Sequence, residues 1–510
     1  MLGWFTRYFT GTDSIAVPPT PSRKRIAPGP GESYDVSRRP PPFGHPLKHY
    51  FALDDKYVNL NHGSYGSIPL PVIYAANQLA YEIDANPDVF NRVAYKPRLA
   101  KSREAVAKLI GADTGEVVLV PNATHALNTI LRNFEWREGD LIIGATTTYG
   151  AVSNTIRYLT DRSEQPRPKM LTIVYNFPLT HAEVLELFRA KIREAKQQYA
   201  DTQFTDVPPL SEGYDRDPAE KKNKIVAVID SITSNPGVLL PWKDMCSIAR
   251  EEGVWTVIDA AHSIGQEQHI NLSDTKPDFW LSNCHKWLFA KRGCAVLYVP
   301  KRNQYIIKSS LPTSHQYVSP NSPKYKELGT NFVMQHEWTG TTDETPYITV
   351  PTAIAFREWL GGEQAIYDYC HKLAMDGARR LAEIMGTKLL DESGVLVATM
   401  SNVYLPLPVE KAPGEIYSPE VLANISMFMM NKLLFEYNTY AGHFFHNGAW
   451  MCRCSAQVFN DMSDFEYVGK VFNTICEEVK DTILSNMHGK QLGHLRPSSP
   501  DEEDWVIVTY

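Results

Sequence analysis

Trp255-Thr256-Val257-Ile258-Asp259-Ala260-Ala261-His262 and, further on, Asp278-Phe279-Trp280-Leu281-Ser282-Asn283-Cys284-His285-Lys286-Trp287 decide how this chain is read. Each is a short apolar run that stops in polar residues. Runs of this kind, too short for helices and bounded by polar turns, read as strands buried on both faces. Working outward, similar runs lie at residues 117–120, 141–145, 170–175, 225–229 and 295–299. Between them, helical spacing predicts helices over 123–132 and 150–159. Strands alternating with helices predict a mostly parallel sheet covered on both sides, an α/β fold.

Two of the buried strands deliver chemistry at their ends. Asp259 closes the first and Lys286 follows the second, with Cys284 expected on the buried strand itself. A lysine in such a place can form a Schiff base with an aldehyde cofactor, and a neighbouring acid can keep a pyridine nitrogen protonated. Pyridoxal 5′-phosphate needs that pair. A single lysine at a strand end is ordinarily a solvated surface residue. Here the rest of the pattern argues for chemistry.

Length and composition set the frame. The 510 residues suit a large core domain, a smaller one and tails. With 43% hydrophobic and 21% charged residues, the composition is that of an ordinary globular protein. A net charge of −7 leaves no basic footprint, so nucleic acid is not expected as a partner. No apolar run is long enough for a membrane span. Seven cysteines with no C-x-x-C pair fit reduced thiols and a cytoplasmic location, and no metal site is expected. The apolar, basic start at Met1–Phe9 leaves a mitochondrial address as the alternative, against which Asp13 and the prolines argue.

Residues 1–45, rich in Pro, Ser and Arg, read as a disordered arm. Residues 46–345 read as the large domain, broken by a charged surface insertion at about 201–223. Helices predicted around 353–359 and 363–385 lead into a smaller α+β domain over 346–486, and 487–510 form an acidic tail.

Further polar residues fall where a cofactor would need them. Asn122-Ala123-Thr124 stands between a strand and a helix, and a helix start offers N–H groups and a favourable dipole to a phosphate. Tyr149 ends the following strand, where an aromatic ring can cover a cofactor and a phenol can deliver a proton. His262 is placed to reach a cofactor's phenolic oxygen. Glu337-Trp338-Thr339-Gly340-Thr341-Thr342-Asp343 reads as a loop before a helix, with a glycine that allows a backbone to approach an anion. Late in the chain, 450–457 alternates like a strand around Arg453. An arginine among apolar and small residues is costly unless paired, either with an internal acid or with a substrate carboxylate.

Taken together, Asn59-Leu60-Asn61-His62-Gly63-Ser64-Tyr65-Gly66, Asn122-Ala123-Thr124, Asp259 to His262, Ser282 to Trp287, Trp338 to Thr341 and Arg453 to Gln457 resemble the class V aminotransferases. The resemblance runs over roughly residues 45–485. It is strongest to the isopenicillin-N-epimerase-like branch, and within it to the fungal ergothioneine-pathway lyase that cleaves hercynylcysteine sulfoxide. It implies the fold of pyridoxal-phosphate enzymes of fold type I, a homodimer, and an amino-acid-type small-molecule substrate. By that resemblance Lys286 holds the cofactor and then moves the Cα proton. Asp259 pairs with the pyridine nitrogen, His262 meets the ring oxygen, and Tyr149 stacks or donates a proton. Ala123, Thr124 and His285 cradle the phosphate, and Thr341 reaches the phosphate of the neighbouring subunit. Asn61 and Arg453 face the substrate.

The implied reaction is C–S cleavage of an S-substituted cysteine. Epimerisation or C–C bond formation in secondary metabolism stands as the alternative. The resemblance implies a basic cluster just ahead of the arginine; this chain departs from it with His446-Asn447-Gly448-Ala449-Trp450, so the resemblance does not carry over the distal part of the substrate. The loop 312–340 has no cysteine to accept sulfur, against a persulfide-forming desulfurase. In the tail, four acids precede Trp505 and Val508, a spacing that resembles the short motifs bound by Atg8-type proteins.

Overall fold

The apolar runs become strands because β-branched and aromatic side chains pack well on a pleated surface covered from both sides. A computed structural model describes residues 35–162, 166–204, 222–313, 317–319, 321–324 and 331–485. The large sheet holds β1 (Val117–Val120), β2 (Leu141–Ala145), β3 (Lys169–Ile173), β4 (Ile225–Asp230), β5 (Trp255–Asp259), β6 (Phe279–Ser282) and β7 (Ala295–Tyr298). Their order is β1-β7-β6-β5-β4-β2-β3. Every neighbouring pair is parallel except the two that involve β7, which runs against both β1 and β6. Helices Ala123–Asn133 and Gly150–Thr160 follow β1 and β2 as expected. One apolar cluster fills each face of the sheet. Side chains such as Val257 and Trp280 are fully buried there, each contributing about 1.5–3 kcal/mol.

The smaller sheet is antiparallel, in the order β9-β10-β8, built from β8 (Met400–Tyr404), β9 (Gly442–His446) and β10 (Ala449–Ser455). Helices Gly362–Met385 and Met462–Val479 pack on it around a separate core. The β9–β10 hairpin turns on Asn447 and Gly448, both at positive φ (47° and 77°), as a two-residue Asn-Gly turn requires. Its tip reaches the large domain. Phe177 N donates to His446 Nε2 at 3.0 Å, and Asn447 Nδ2 donates to Phe177 O at 3.2 Å. Burial holds the His446 ring neutral, pushing its pKa down to about 4. The hairpin tip at His446 and Asn447 is therefore a clasp between domains.

Two sequence expectations change. Residues 38–45 are not part of a loose arm. Phe43 stacks on Tyr369 at 4.9 Å, Trp359 Nε1 donates to Arg38 O at 2.7 Å, and Leu47 just beyond is fully buried. Aromatic and aliphatic residues among the prolines supply enough apolar surface to dock. Cys284 is buried as expected, but lies in the turn beyond β6 rather than on the strand. Val58–Asn59 pairs in parallel with Thr439–Tyr440, which fixes the N-terminal segment to the smaller domain. The expectations for residues 1–34, for most of the insertion (205–221) and for the tail with Trp505 and Val508 lie outside the described residues. Among the described residues, no helix is long and apolar enough to cross a membrane.

Candidate active site

The carboxyl ends of parallel strands in an open sheet leave a crevice where loops can place chemistry. β5 ends there in Asp259, which is only 4% exposed and accepts a hydrogen bond at Oδ1 from Ala261 N at 3.0 Å. β6 leads into the turn that carries Lys286. The lysine Nζ lies 3.2 Å from His262 Nε2. Burial, and then the charge of Arg453, bring the Lys286 amine down to about 7, with Asp259 pulling the other way. An amine tuned to that range is a usable nucleophile and base at neutral pH.

Asp230, not singled out by sequence, closes β4 directly beside Asp259 in the strand register. The signal was available, since it is another acid at the end of an apolar run. Two buried carboxyls side by side do not both ionise readily. Burial and the neighbouring Asp259 charge raise Asp230 well above the usual carboxylate range. Burial also raises Asp259, against the Ala261 N–H and the Lys286 charge. Asp230, which accepts from Thr148 Oγ1 at 3.4 Å, is raised further, which favours the proton there and the negative charge on Asp259.

The candidate anion end of the site is the start of helix Ala123–Asn133, capped by the Asn122 side chain on His125 N at 2.8 Å. Ala123 N already donates to Asn283 Oδ1 at 2.9 Å, so its expected share in holding phosphate does not rest on a free N–H. Asn283, from the turn before Lys286, ties the helix start to the lysine. Thr124 is exposed at that end. His285 turns Nδ1 to Cys294 O at 2.7 Å, which leaves Nε2 for a ligand, and burial brings its pKa down to about 4. His62, also missed, holds the Lys286 carbonyl through Nε2 at 2.8 Å.

Arg453 comes from β10 and is 3% exposed. Nη1 donates to Ser234 O at 2.6 Å, and Nη2 to Asn61 Oδ1 and Ser64 Oγ, both at 3.0 Å. Among the described residues its Nε has no partner. None of these partners is a carboxylate, and no salt bridge involves Arg453 among the described residues. Burial lowers its pKa to about 10, while the Tyr149 and Tyr440 phenols favour its charge. Tyr149 itself is 45% exposed, just ahead of helix Gly150–Thr160. Gly237 makes room for the arginine, since an added Cβ would meet Arg453 Cδ at 2.9 Å. Asn61 and Arg453 are thus brought together with Tyr149 nearby. Thr341 is not brought to them. It is exposed, and its loop is anchored instead by Lys291 Nζ on Asp343 Oδ2 at 2.6 Å.

This donor set fits pyridoxal phosphate. It offers a buried amine, a carboxylate beside it, a helix start for the phosphate and a buried guanidinium with an orphaned Nε for a substrate carboxylate.

Comparison with known proteins agrees with that geometry. The family model "Aminotransferase class-V" matches residues 62–192 and 213–403. The chain is similar to the L-cysteine desulfhydrase-like protein lolT1 of Epichloe uncinata, 31% identical over 466 residues, covering 86% of this chain and 97% of that protein. It is 30% identical over 441 residues to the hercynylcysteine sulfoxide lyase of Schizosaccharomyces pombe, covering 85% and 98%. Among solved structures, a mutant of C-DES with glycine covalently linked to the PLP cofactor has a TM-score of 0.64 at 13% identity, covering 84% and 98%.

Proposed function

We propose a reaction from a plain premise: this chain belongs to the class V aminotransferase family and is a pyridoxal-phosphate enzyme of fold type I. The reaction we infer is C–S cleavage of an S-substituted cysteine. The observation that carries it is Arg453, a buried guanidinium whose described partners are all neutral. A guanidinium kept in that state suits the α-carboxylate of an amino acid, which can take the open Nε–H and displace one neutral partner from Nη2 to make two parallel hydrogen bonds. The full-length relatives named for cysteine and cysteine-sulfoxide chemistry support the sulfur part.

When bound, the cofactor supplies an electron sink for the bonds at the substrate's Cα. The chain's own groups do the rest. Arg453, steadied by Asn61 and Ser64, fixes the carboxylate and so the direction of the Cα–H bond. Lys286, as the free amine, accepts the Cα proton. Asp259 keeps its negative charge because Asp230 holds the proton of the pair. Tyr149, at the exposed side, protonates the sulfur that leaves from Cβ. Water completes the conversion of the remaining three-carbon fragment to pyruvate and ammonia. All seven cysteines are buried, so none offers an accessible thiolate to take up sulfur as a persulfide.

Hercynylcysteine sulfoxide, after the fission-yeast relative, is the first substrate to try. We also read the enzyme as a homodimer in which the exposed Thr341 loop serves the phosphate of a second copy. Incubation with S-substituted L-cysteine sulfoxides should release pyruvate. Loss of optical rotation without pyruvate would replace cleavage by epimerisation. An active, cofactor-loaded monomer in sedimentation would remove the dimer reading.

A further inference from the structure

We propose that Trp287 is a positioning residue that sets the tautomer of His262 and so presents Lys286 as a free amine. Trp287 Nε1 lies 3.3 Å from His262 Nδ1. An indole N–H can only donate, so Nδ1 must be the accepting nitrogen. A neutral imidazole carries one N–H, which is then on Nε2, the atom 3.2 Å from Lys286 Nζ. An ammonium has no lone pair to accept that hydrogen, whereas a free amine has one. The opposite tautomer would turn a lone pair toward the lysine and favour the ammonium.

The pieces that hold this relay are buried and hydrogen-bonded. Trp287 is 2% exposed, and its ring meets the His62 ring at 5.1 Å between centroids. Its carbonyl accepts from Arg357 Nη1 at 2.7 Å, and Arg357 is paired with Glu363. Gly265 allows the close approach, since an added Cβ would lie 2.6 Å from the Trp287 carbonyl carbon and oxygen. Gln266 Nε2 donates to the His262 carbonyl at 2.7 Å. Burial, then the charges of Lys286 and Arg453, keep His262 far below its ordinary pKa and therefore neutral. The other charged or titratable groups facing this pair are Asp259 from β5, Arg453 from β10, and His285 beside the lysine. Asp259 favours the ammonium, burial and Arg453 the amine, and the tautomer adds its hydrogen bond on the amine's side.

The inference rests on Lys286 as the group that captures the aldehyde. It is independent of which substrate bond is cleaved. The test uses the full chain without cofactor. Reductive methylation of Lys286 by formaldehyde with cyanoborohydride as the hydride donor, followed by peptide mass spectrometry across pH, titrates the free amine. The wild-type midpoint is expected near 7. Trp287→Phe keeps the ring and removes the N–H, and should raise the midpoint by about one pH unit, roughly a tenfold loss of free amine below it. An unmoved midpoint in a folded Trp287→Phe protein would overturn the proposal. If that variant does not fold, solid-state ¹⁵N spectra of histidine-labelled wild-type protein decide. The signal lost in His262→Gln should report a protonated Nε2, and a protonated Nδ1 there would overturn it. Neither measurement involves substrate, so either can fail while the C–S cleavage reading stands.

Discussion

The two halves of the site are built in different ways. The cofactor half comes from neighbouring strand ends of one sheet: Asp230, Asp259 and the turn after β6 that carries Lys286. The proposed substrate half is assembled from distant parts of the chain. Arg453 is on β10 of the smaller sheet, Asn61 and Ser64 on the N-terminal segment, and Ser234 in the loop after β4. The first half inherits its geometry from strand pairing, which few substitutions can move. The second depends on how the smaller domain and the N-terminal segment dock on the larger. Chemistry common to many substrates can therefore stay fixed while the pocket for one of them changes.

That contrast breaks if variants in one half behave like variants in the other. The largest effect should come from Lys286→Ala. Turnover should fall by more than about 10⁴, because the covalent link and the base are lost together. The visible absorbance of the bound cofactor and borohydride trapping should vanish with it, and an adduct on another lysine would break the assignment. Asp259→Ala should lower turnover by roughly 10²–10³, the loss of about 2–4 kcal/mol at the developing charge, with cofactor retained. Near-native turnover in this variant would remove the acid from the chemistry.

In the substrate half, Arg453→Met should raise KM by roughly 10–10², leaving the cofactor's absorbance unchanged. The same change should leave Tm level or raise it, because an arginine buried without a counter-charge costs stability that its function offsets. A sharp fall in Tm with unchanged KM would make Arg453 structural. Gly237→Ala should have the smallest effect, several-fold in KM, by pressing on Arg453 Cδ. The pH dependence follows the lysine. Its folded pKa of about 7 lies below the ordinary value, so the ammonium prevails at lower pH. Capture of cofactor by apoprotein should climb as pH rises through about 7 and then level off. A rise delayed to the ordinary lysine range would contradict the burial argument.

The cofactor half was largely legible before folding was considered. Strands at 117–120, 141–145 and 279–282 fall where the apolar runs placed them, because burial on both faces demands unbroken apolar sequence. Asp259 and Lys286 stood out as polar endings to such runs. Asp230 carried the same mark and was passed over. His62 and Asn283 stand within the quoted motifs, but their roles are not legible there, since each acts through contacts with residues far away in sequence, at Lys286 O and Ala123 N. The docking of residues 38–45 was hidden because prolines set the local composition while Phe43 and Leu47 supply the burial.

By itself, then, the sequence determined the α/β class, the strand–helix alternation and the acid and lysine at the sheet's carboxyl edge. These depend on periodicity and burial, which are local properties of a chain. Only the tertiary structure decided that Asp230 and Asp259 share one register, that Arg453 is surrounded by neutral acceptors, and that Trp287 fixes the proton on His262. Hydrogen-bond direction and charge burial depend on which distant groups meet, and docking of the domains settles that.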